Sequence, residues 1–178
     1  MQYVAFLRGM NVGGHRITND ELCACFSDLG MTNVWAFLAS GNVAFESASS
    51  SRAEVAALIE SGLRKALNYE VPTFLRSASE VAAIAAAVPF AATKGAVGGK
   101  LQVSLLARKP SASQQQQVLS YATANDQLAI EGKELYWLPD GKLTDSMLDM
   151  KAIGKALGSM TTRTLRTVQR LSVKLSDE

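Results

Sequence analysis

The 178-residue sequence predicts an α+β fold made of two ferredoxin-like (split βαβ) units in tandem, packed as one compact molecule. Three observations carry this. The order strand, helix, hairpin, helix is read in each half without obvious residue identity between the halves. Four helix starts carry the Ser/Thr-x-x-Glu/Gln spacing in which a hydroxyl and a side-chain oxygen satisfy orphan amides. A stretch rich in Gly, Ala and Thr at 91–99 has no hydrophobic periodicity and separates the halves. The first unit is assigned to 1–90, a linker or mobile loop to 91–99, and a second unit ending in a basic helix to 100–178.

In the first half, Tyr3 to Leu7 is a near-continuous apolar run, as in a central strand buried on both faces. Thr18 and Glu21 open a helix whose inner face is Leu22, Phe26 and Leu29, and Gly30 stops it. Val34 to Leu38 and Val43 to Phe45 read as antiparallel strands joined through Ser40-Gly41-Asn42, residues that tolerate positive φ. Ser51 and Glu54 open a helix with Val55, Leu58, Ile59 and Leu63 inward. Val71 to Leu75 is a short strand, placed at an edge by Pro72. Ser77 and Glu80 open a helix carrying Val81, Ile84 and Val88 that ends near Pro89.

In the second half, Leu101, Val103 and Leu105 alternate as a strand, and Ser111 with Gln114 opens a helix containing Val118 and Leu119. Leu128 to Ile130 and Leu135 to Leu138 flank Glu131-Gly132-Lys133 as a hairpin, followed by a turn at Pro139-Asp140-Gly141. Two helices are expected after it, Ser146 to Leu157 and Arg163 to Leu175.

A hydrophobic fraction of 48% with 19% charged residues is that of a globular chain and argues against disorder. The net charge of +2 is too small to require an anionic polymer as partner. Cys23 and Cys25 point to different sides of a helix, which excludes a disulfide framework or metal knuckle and fits small apolar packing. The start Met1-Gln2-Tyr3 lacks a signal-peptide layout, and the apolar run Val81 to Ala92 is too short to span a bilayer. A cytoplasmic protein without a membrane partner is expected.

Chemistry is best sought in Arg8-Gly9-Met10-Asn11-Val12-Gly13-Gly14-His15-Arg16, between the first strand and the first capped helix. Backbone amides and a helix dipole there can receive an anion. Gly9 and Gly14 have the spacing of a phosphate-binding P-loop, but His15-Arg16 stands where Lys and Ser/Thr are needed, which excludes nucleotide hydrolysis of that type. The other reading is that the glycines only let the chain turn and pack closely while Arg8 and Asn11 brace the loop.

Three stretches, Leu7 to Gly14, Leu38 to Phe45 and Thr161-Thr162-Arg163, resemble the signatures of the DUF1697 family of uncharacterised bacterial proteins, in order, in spacing and over nearly the full length. The resemblance implies that Arg8, Asn11, Gly13, Gly14, Ser40, Asn42, Thr162 and Arg163 are the positions of interest, and implies no activity. His15 stands where relatives carry lysine, and Thr164-Leu165 where they carry Asn-Trp, so a site using that amine or amide is altered here. In a ferredoxin-like unit the end of the first strand and one end of the hairpin lie together, bringing Arg8, Asn11, Ser40 and Asn42 into one place. Such a set favours an oxyanion, or else forms a hydrogen-bonded hub stapling loop to hairpin.

Arg163, Arg166, Arg170 and Lys174 fall on one side of the last expected helix. They are either a phosphate-tracking stripe, as in a nucleic-acid or protein-interaction module, or a solvated face. Tyr3, Phe6, Trp35, Phe37, Phe45, Tyr136 and Trp137 lie in strands but lack the RNA-recognition pattern and read mostly as core. His15 is the only histidine, which excludes a histidine-rich metal site. Asp140, Asp145 and Asp149 read as capping residues rather than an acid-base pair. The sequence thus points to a nucleotide or phosphorylated metabolite at Arg8 to Gly14, and names no cofactor or reaction.

Overall fold

The computed structural model describes residues 1–10, 16–38, 41–90 and 101–177. The first half runs β1 (Gln2–Leu7), α1 (Asn19–Asp28), β2 (Thr32–Ala36), β3 (Asn42–Glu46), α2 (Arg52–Leu67), β4 (Thr73–Ser77) and α3 (Ala78–Ala86). The second runs β5 (Gln102–Leu106), α4 (Ala112–Leu119), β6 (Asp126–Glu131), β7 (Glu134–Pro139), a 3-10 turn (Leu143–Asp145), α5 (Met150–Leu157), β8 (Met160–Thr164) and α6 (Leu165–Asp177). The strands form two four-stranded sheets, ordered β2-β3-β1-β4 and β6-β7-β5-β8, with every pairing antiparallel. Each is the split βαβ arrangement, so the tandem ferredoxin-like expectation holds. By its contacts the chain divides into Met1–Val81 with Lys174–Glu178, and Ala82–Val173. The linker expected at 91–99 lies outside the described residues.

In the first unit the alternation of β1 sends Tyr3, Ala5 and Leu7 against Leu22 and Phe26 of α1 and Val55, Ile59 and Leu63 of α2. Val4 and Phe6 point to the opposite face and are also fully buried, which explains why this strand reads as an unbroken apolar run. Thr18 and Glu21 form the expected reciprocal cap of α1, and Gly30 follows at φ +83°. Two expected core residues turn outward: Leu58 on α2 is exposed, and Val88 lies beyond the end of α3. Helical spacing alone leaves the flanking positions of an apolar face undecided. The core of the second unit joins Leu106, Val118, Leu135, Leu148, Ile153 and Leu157.

The largest departure concerns residues 160–164. They form an edge strand against β5, with Thr161 opposite Leu105 and Arg163 opposite Val103. The helix expected from Arg163 therefore starts at Leu165. Three threonines in five residues favour extended backbone through their branched β-carbons, and the second unit needs a fourth strand to complete its sheet. The helix expected from Ser146 starts at Met150 instead, because Asp149 caps it by accepting from the Ala152 amide at 2.8 Å.

The halves match position by position although their sequences do not. The amide of Leu7 donates to Gly41 O at 2.7 Å, and that of Leu106 to Lys133 O at 2.9 Å. Counted from these bonds, Val4 opposite Arg76 corresponds to Val103 opposite Arg163. Each arginine donates from Nη1 to the preceding carbonyl, Leu75 O at 2.9 Å or Thr162 O at 2.8 Å. Each is followed by a hydroxyl that caps the next helix: Ser77 accepts from the Glu80 amide, Thr164 from the Thr167 amide.

Phe26, with no exposure, and Leu58, at 45%, give a direct check of this packing. Urea denaturation should show Phe26→Ala losing about 3–5 kcal/mol of unfolding free energy. Leu58→Ala should stay within about 0.5 kcal/mol of the parent. Equal losses would mean that α2 packs by a different face.

Candidate functional site

The site is built where the buried strand β1 emerges beside the β2–β3 hairpin. Leu7, its last residue, is wholly buried, and the next residue, Arg8, is exposed. The Arg8 amide donates to Pro72 O at 3.0 Å, which ties this point to the segment leading into β4. Gly9 then turns at φ +77°, a conformation that costs L-residues energy and glycine little.

Gly41 comes up against this turn from the hairpin, at φ +70°, and its carbonyl accepts from Leu7. A β-carbon on Gly41 would lie 2.8 Å from Cγ of Met10 and 3.1 Å from Cβ of Leu7. Glycine is therefore required here twice, by dihedral and by space. Asn42 follows as the first residue of β3, opposite Phe6, rather than as part of the turn. It is fully buried, its Nδ2 donates to Phe37 O at 3.0 Å, and its own carbonyl accepts from the Phe37 amide at 2.8 Å. A compact amide at this point closes the hairpin by holding both ends of its loop.

Beyond the loop, Thr18 begins α1. Its amide and hydroxyl both donate to Glu21 Oε2 at 2.8 Å, and its Oγ1 accepts from the Glu21 amide at 3.2 Å. The Thr18 backbone amide, then its hydroxyl, hold the Glu21 carboxyl below the usual glutamate range. With Asp20 beside it, the start of α1 is already supplied with negative charge.

Of the expected site residues, Arg8 and Asn42 thus stand on neighbouring chain segments at one end of the first sheet. Arg8 is exposed and Asn42 is turned inward. Asn11, Gly13, Gly14 and Ser40, with His15, lie outside the described residues. Thr162 and Arg163 stand in β8 of the second unit. The Thr162 hydroxyl pairs with that of Ser104 at 2.6 Å, and Arg163 donates from Nη1 to Thr161 Oγ1 at 2.9 Å as well as to Thr162 O. Burial lowers the Arg163 guanidinium to about 10, which leaves it charged at neutral pH.

The expected basic stripe changes accordingly. Arg163 is absent from α6, and Lys174 places its ammonium 4.3 Å from the centroid of the Trp35 ring, leaving Arg166 and Arg170 as the exposed arginines of that helix. Tyr3, Phe6, Phe45 and Tyr136 are buried and cannot present their rings to a base. Burial pushes the Cys23 and Cys25 thiols up, so both remain protonated at neutral pH. Among the described residues no group of three or more His, Cys, Asp or Glu could hold a metal ion. No helix among them is long and apolar enough to cross a membrane.

One residue that sequence reasoning passed over is Asp126, at the start of β6. It is buried, and its carboxylate accepts from Trp137 Nε1 at 2.8 Å, Ser146 Oγ at 2.7 Å and Thr123 Oγ1 at 2.9 Å. Burial raises its pKa, but the three donors outweigh that and leave it below the ordinary aspartate value. It lines a cavity of about 150 Å³ with Asn125, Pro139, Asp140, Gly141, Lys142 and Ser146. Its partners lie as far apart in sequence as Thr123 and Ser146, so no local pattern marks it.

A family model described as a protein of unknown function (DUF1697) matches residues 1–136. Among solved structures, the chain is similar to a conserved bacterial protein, SP0830, from Streptococcus pneumoniae, at 17% identity with a TM-score of 0.78, covering 98% of each chain. At that identity the likeness shows the fold alone. No curated protein matches the chain.

Two outcomes test this geometry. Gly41→Ala should cost about 1–3 kcal/mol in denaturant unfolding, from a strained dihedral and a forced contact. Asp126→Asn should cost about 1.5–3 kcal/mol at neutral pH, where a charged acceptor is lost. Because the folded-state pKa of Asp126 lies below its unfolded value, this contribution is present above about pH 3.8 and fades as pH falls through the folded value. Urea curves at pH 7 and pH 3 should show the difference between Asp126→Asn and parent shrinking at the lower pH. A constant difference would contradict an ionised Asp126.

Proposed function

Taking as premise that the chain belongs to the DUF1697 family of proteins of unknown function, we propose that it binds a small anion, a nucleotide or phosphorylated metabolite, at the loop opened by Arg8. One observation supports this most. An exposed guanidinium stands at the exit of a fully buried strand, on backbone tied to Pro72 and followed by the turn at Gly9. The fixed backbone places the root of this side chain, and the planar guanidinium brings donors already arranged for oxygen ligands. The glycine turn next to it lets backbone approach such a ligand closely.

The start of α1 contributes less than an uncapped helix would, since Glu21 occupies its first turn. Recognition in this reading falls to Arg8 and the amides of the loop, with Arg16 at the loop's far end as a second exposed cation. Asn42 acts indirectly by holding the hairpin that Gly41 presses against the turn. The cytoplasm, where phosphorylated metabolites abound, is the compartment in which this reading places the protein.

An NMR titration of the labelled protein with inorganic phosphate and with a nucleoside triphosphate tests it. Saturable shifts are expected at Gly9 and Gly41, and Arg8→Gln should weaken binding about 10- to 100-fold, the worth of a charge-assisted hydrogen bond. Identical titrations of parent and Arg8→Gln would overturn the proposal. So would silence at Gly9 and Gly41 together with steeply salt-dependent RNA or DNA binding that shifts Arg166 and Arg170.

A further inference from the structure

A β-sheet edge left with unpaired backbone groups invites another strand, and folded proteins normally blunt such edges. Four strands lie at edges here, β2 and β4 in the first sheet, β6 and β8 in the second. The register of β2 against β3 shifts between Thr32 and Trp35, and Asn33 sits at φ +48°, so β2 is not a straight template. The outward amide of Thr73 in β4 donates to Glu60 Oε1 at 2.8 Å, and Leu75 O accepts from Arg76. In β8, Thr162 O is taken by Arg163.

β6 is occupied in this way only at its first residue, Asp126. It pairs with β7 without a break from Asp126 opposite Pro139 to Glu131 opposite Glu134. The direction of its backbone groups follows from three bonds. Asp140 N donates to Asn125 O at 2.7 Å, which makes Asp126 and Pro139 a non-hydrogen-bonded pair. Asp126 exchanges both of its own backbone bonds with Thr123, on the side away from β7. By alternation, the N–H and C=O of Leu128 and of Ile130 also point away from β7. Among the described residues neither Leu128 nor Ile130 has any partner on that side.

We infer that the outer edge of β6 is an interaction surface for the same edge of a second copy of this chain, joined antiparallel about a two-fold axis at Ala129. In that register Leu128 faces Ile130 of the second copy and Ile130 faces its Leu128. All four outward groups of each copy are then paired, in four N–H···O bonds. A two-fold at Leu128 would oppose Ile130 to Asp126, whose backbone groups Thr123 already holds, and leave both Ile130 groups unpaired; about Ala129 the residue opposite Asp126 is Gly132, which lies in the turn beyond β6 and has no ladder bond to make. One at Ile130 would run into the hairpin turn at Gly132, φ +60°. The side chains agree with the chosen register: Gln127 falls opposite Glu131, so an amide meets a carboxylate and no like charges oppose. This self-complementarity selects a second copy over an unrelated peptide.

Sedimentation across a concentration series, with hydrogen exchange read residue by residue, tests the inference. A reversible dimer is expected, with exchange at Leu128 and Ile130 slowing as concentration rises while Gln127 and Ala129, bonded to β7, stay constant. Gln127→Glu places carboxylates opposite one another twice and should weaken association about tenfold, and adding Glu131→Lys to it should restore the dimer. Both side chains are exposed, so neither change burdens the fold. A monomer at millimolar concentration, or a dimer indifferent to Gln127→Glu, would overturn the pairing.

Discussion

The geometry of the first unit rests on the close approach of Gly41 to the end of β1. β1 is buried on both faces and cannot shift without opening the core on one side or vacating the other. Its last amide binds Gly41 O, and the hydrogen on Gly41 where a side chain would be lets the hairpin close onto Leu7 and Met10. Asn42 then fastens the hairpin to its own loop through Phe37. Arg8 inherits its position from this chain of contacts. It leaves the sheet at a point fixed by the strand behind it, the hairpin beside it and Pro72 on the other flank. The backbone connections fix the point from which the exposed Arg8 side chain leaves the sheet.

The fold was largely legible because its signals are local. Capping pairs such as Thr18 with Glu21 and Ser111 with Gln114 mark helix starts by a spacing that needs no tertiary context. The apolar run Tyr3 to Leu7 marks a buried strand in the same way, and Pro72 marks an edge. The signal failed where local pattern and sheet completion compete. Arg163, Arg166 and Arg170 have helical spacing, but threonines 161, 162 and 164 are worth more as the fourth strand of a sheet. The correspondence of Arg76 with Arg163 shows that duplication could have signalled the strand, since each unit needs an arginine and a capping hydroxyl at that place. Their surroundings differ too much in sequence for the repeat to be seen without the register.

The site was legible in part. Arg8 stands out by its place in the glycine-rich segment, whereas Gly41 reads from the sequence only as a turn residue, and its close approach to Leu7 and Met10 shows only in the packing. The inward turn of Asn42 could not be read, since an amide serves equally well as a ligand group or as a hairpin clasp, and only burial decides. Asp126 was invisible for the opposite reason. Its donors Thr123, Trp137 and Ser146 converge only after β6 and β7 have paired. The same pairing sets which backbone groups of β6 face outward, so the edge chemistry of the second unit is a property of register rather than of composition.

The most direct measurement of the central claim is a crystal structure of the protein grown with inorganic phosphate. Phosphate oxygens are expected within hydrogen-bonding distance of the Arg8 guanidinium, with the hairpin still closed on Leu7 through Gly41. Phosphate bound elsewhere, with Arg8 folded back onto the protein's own carbonyls, would contradict that claim.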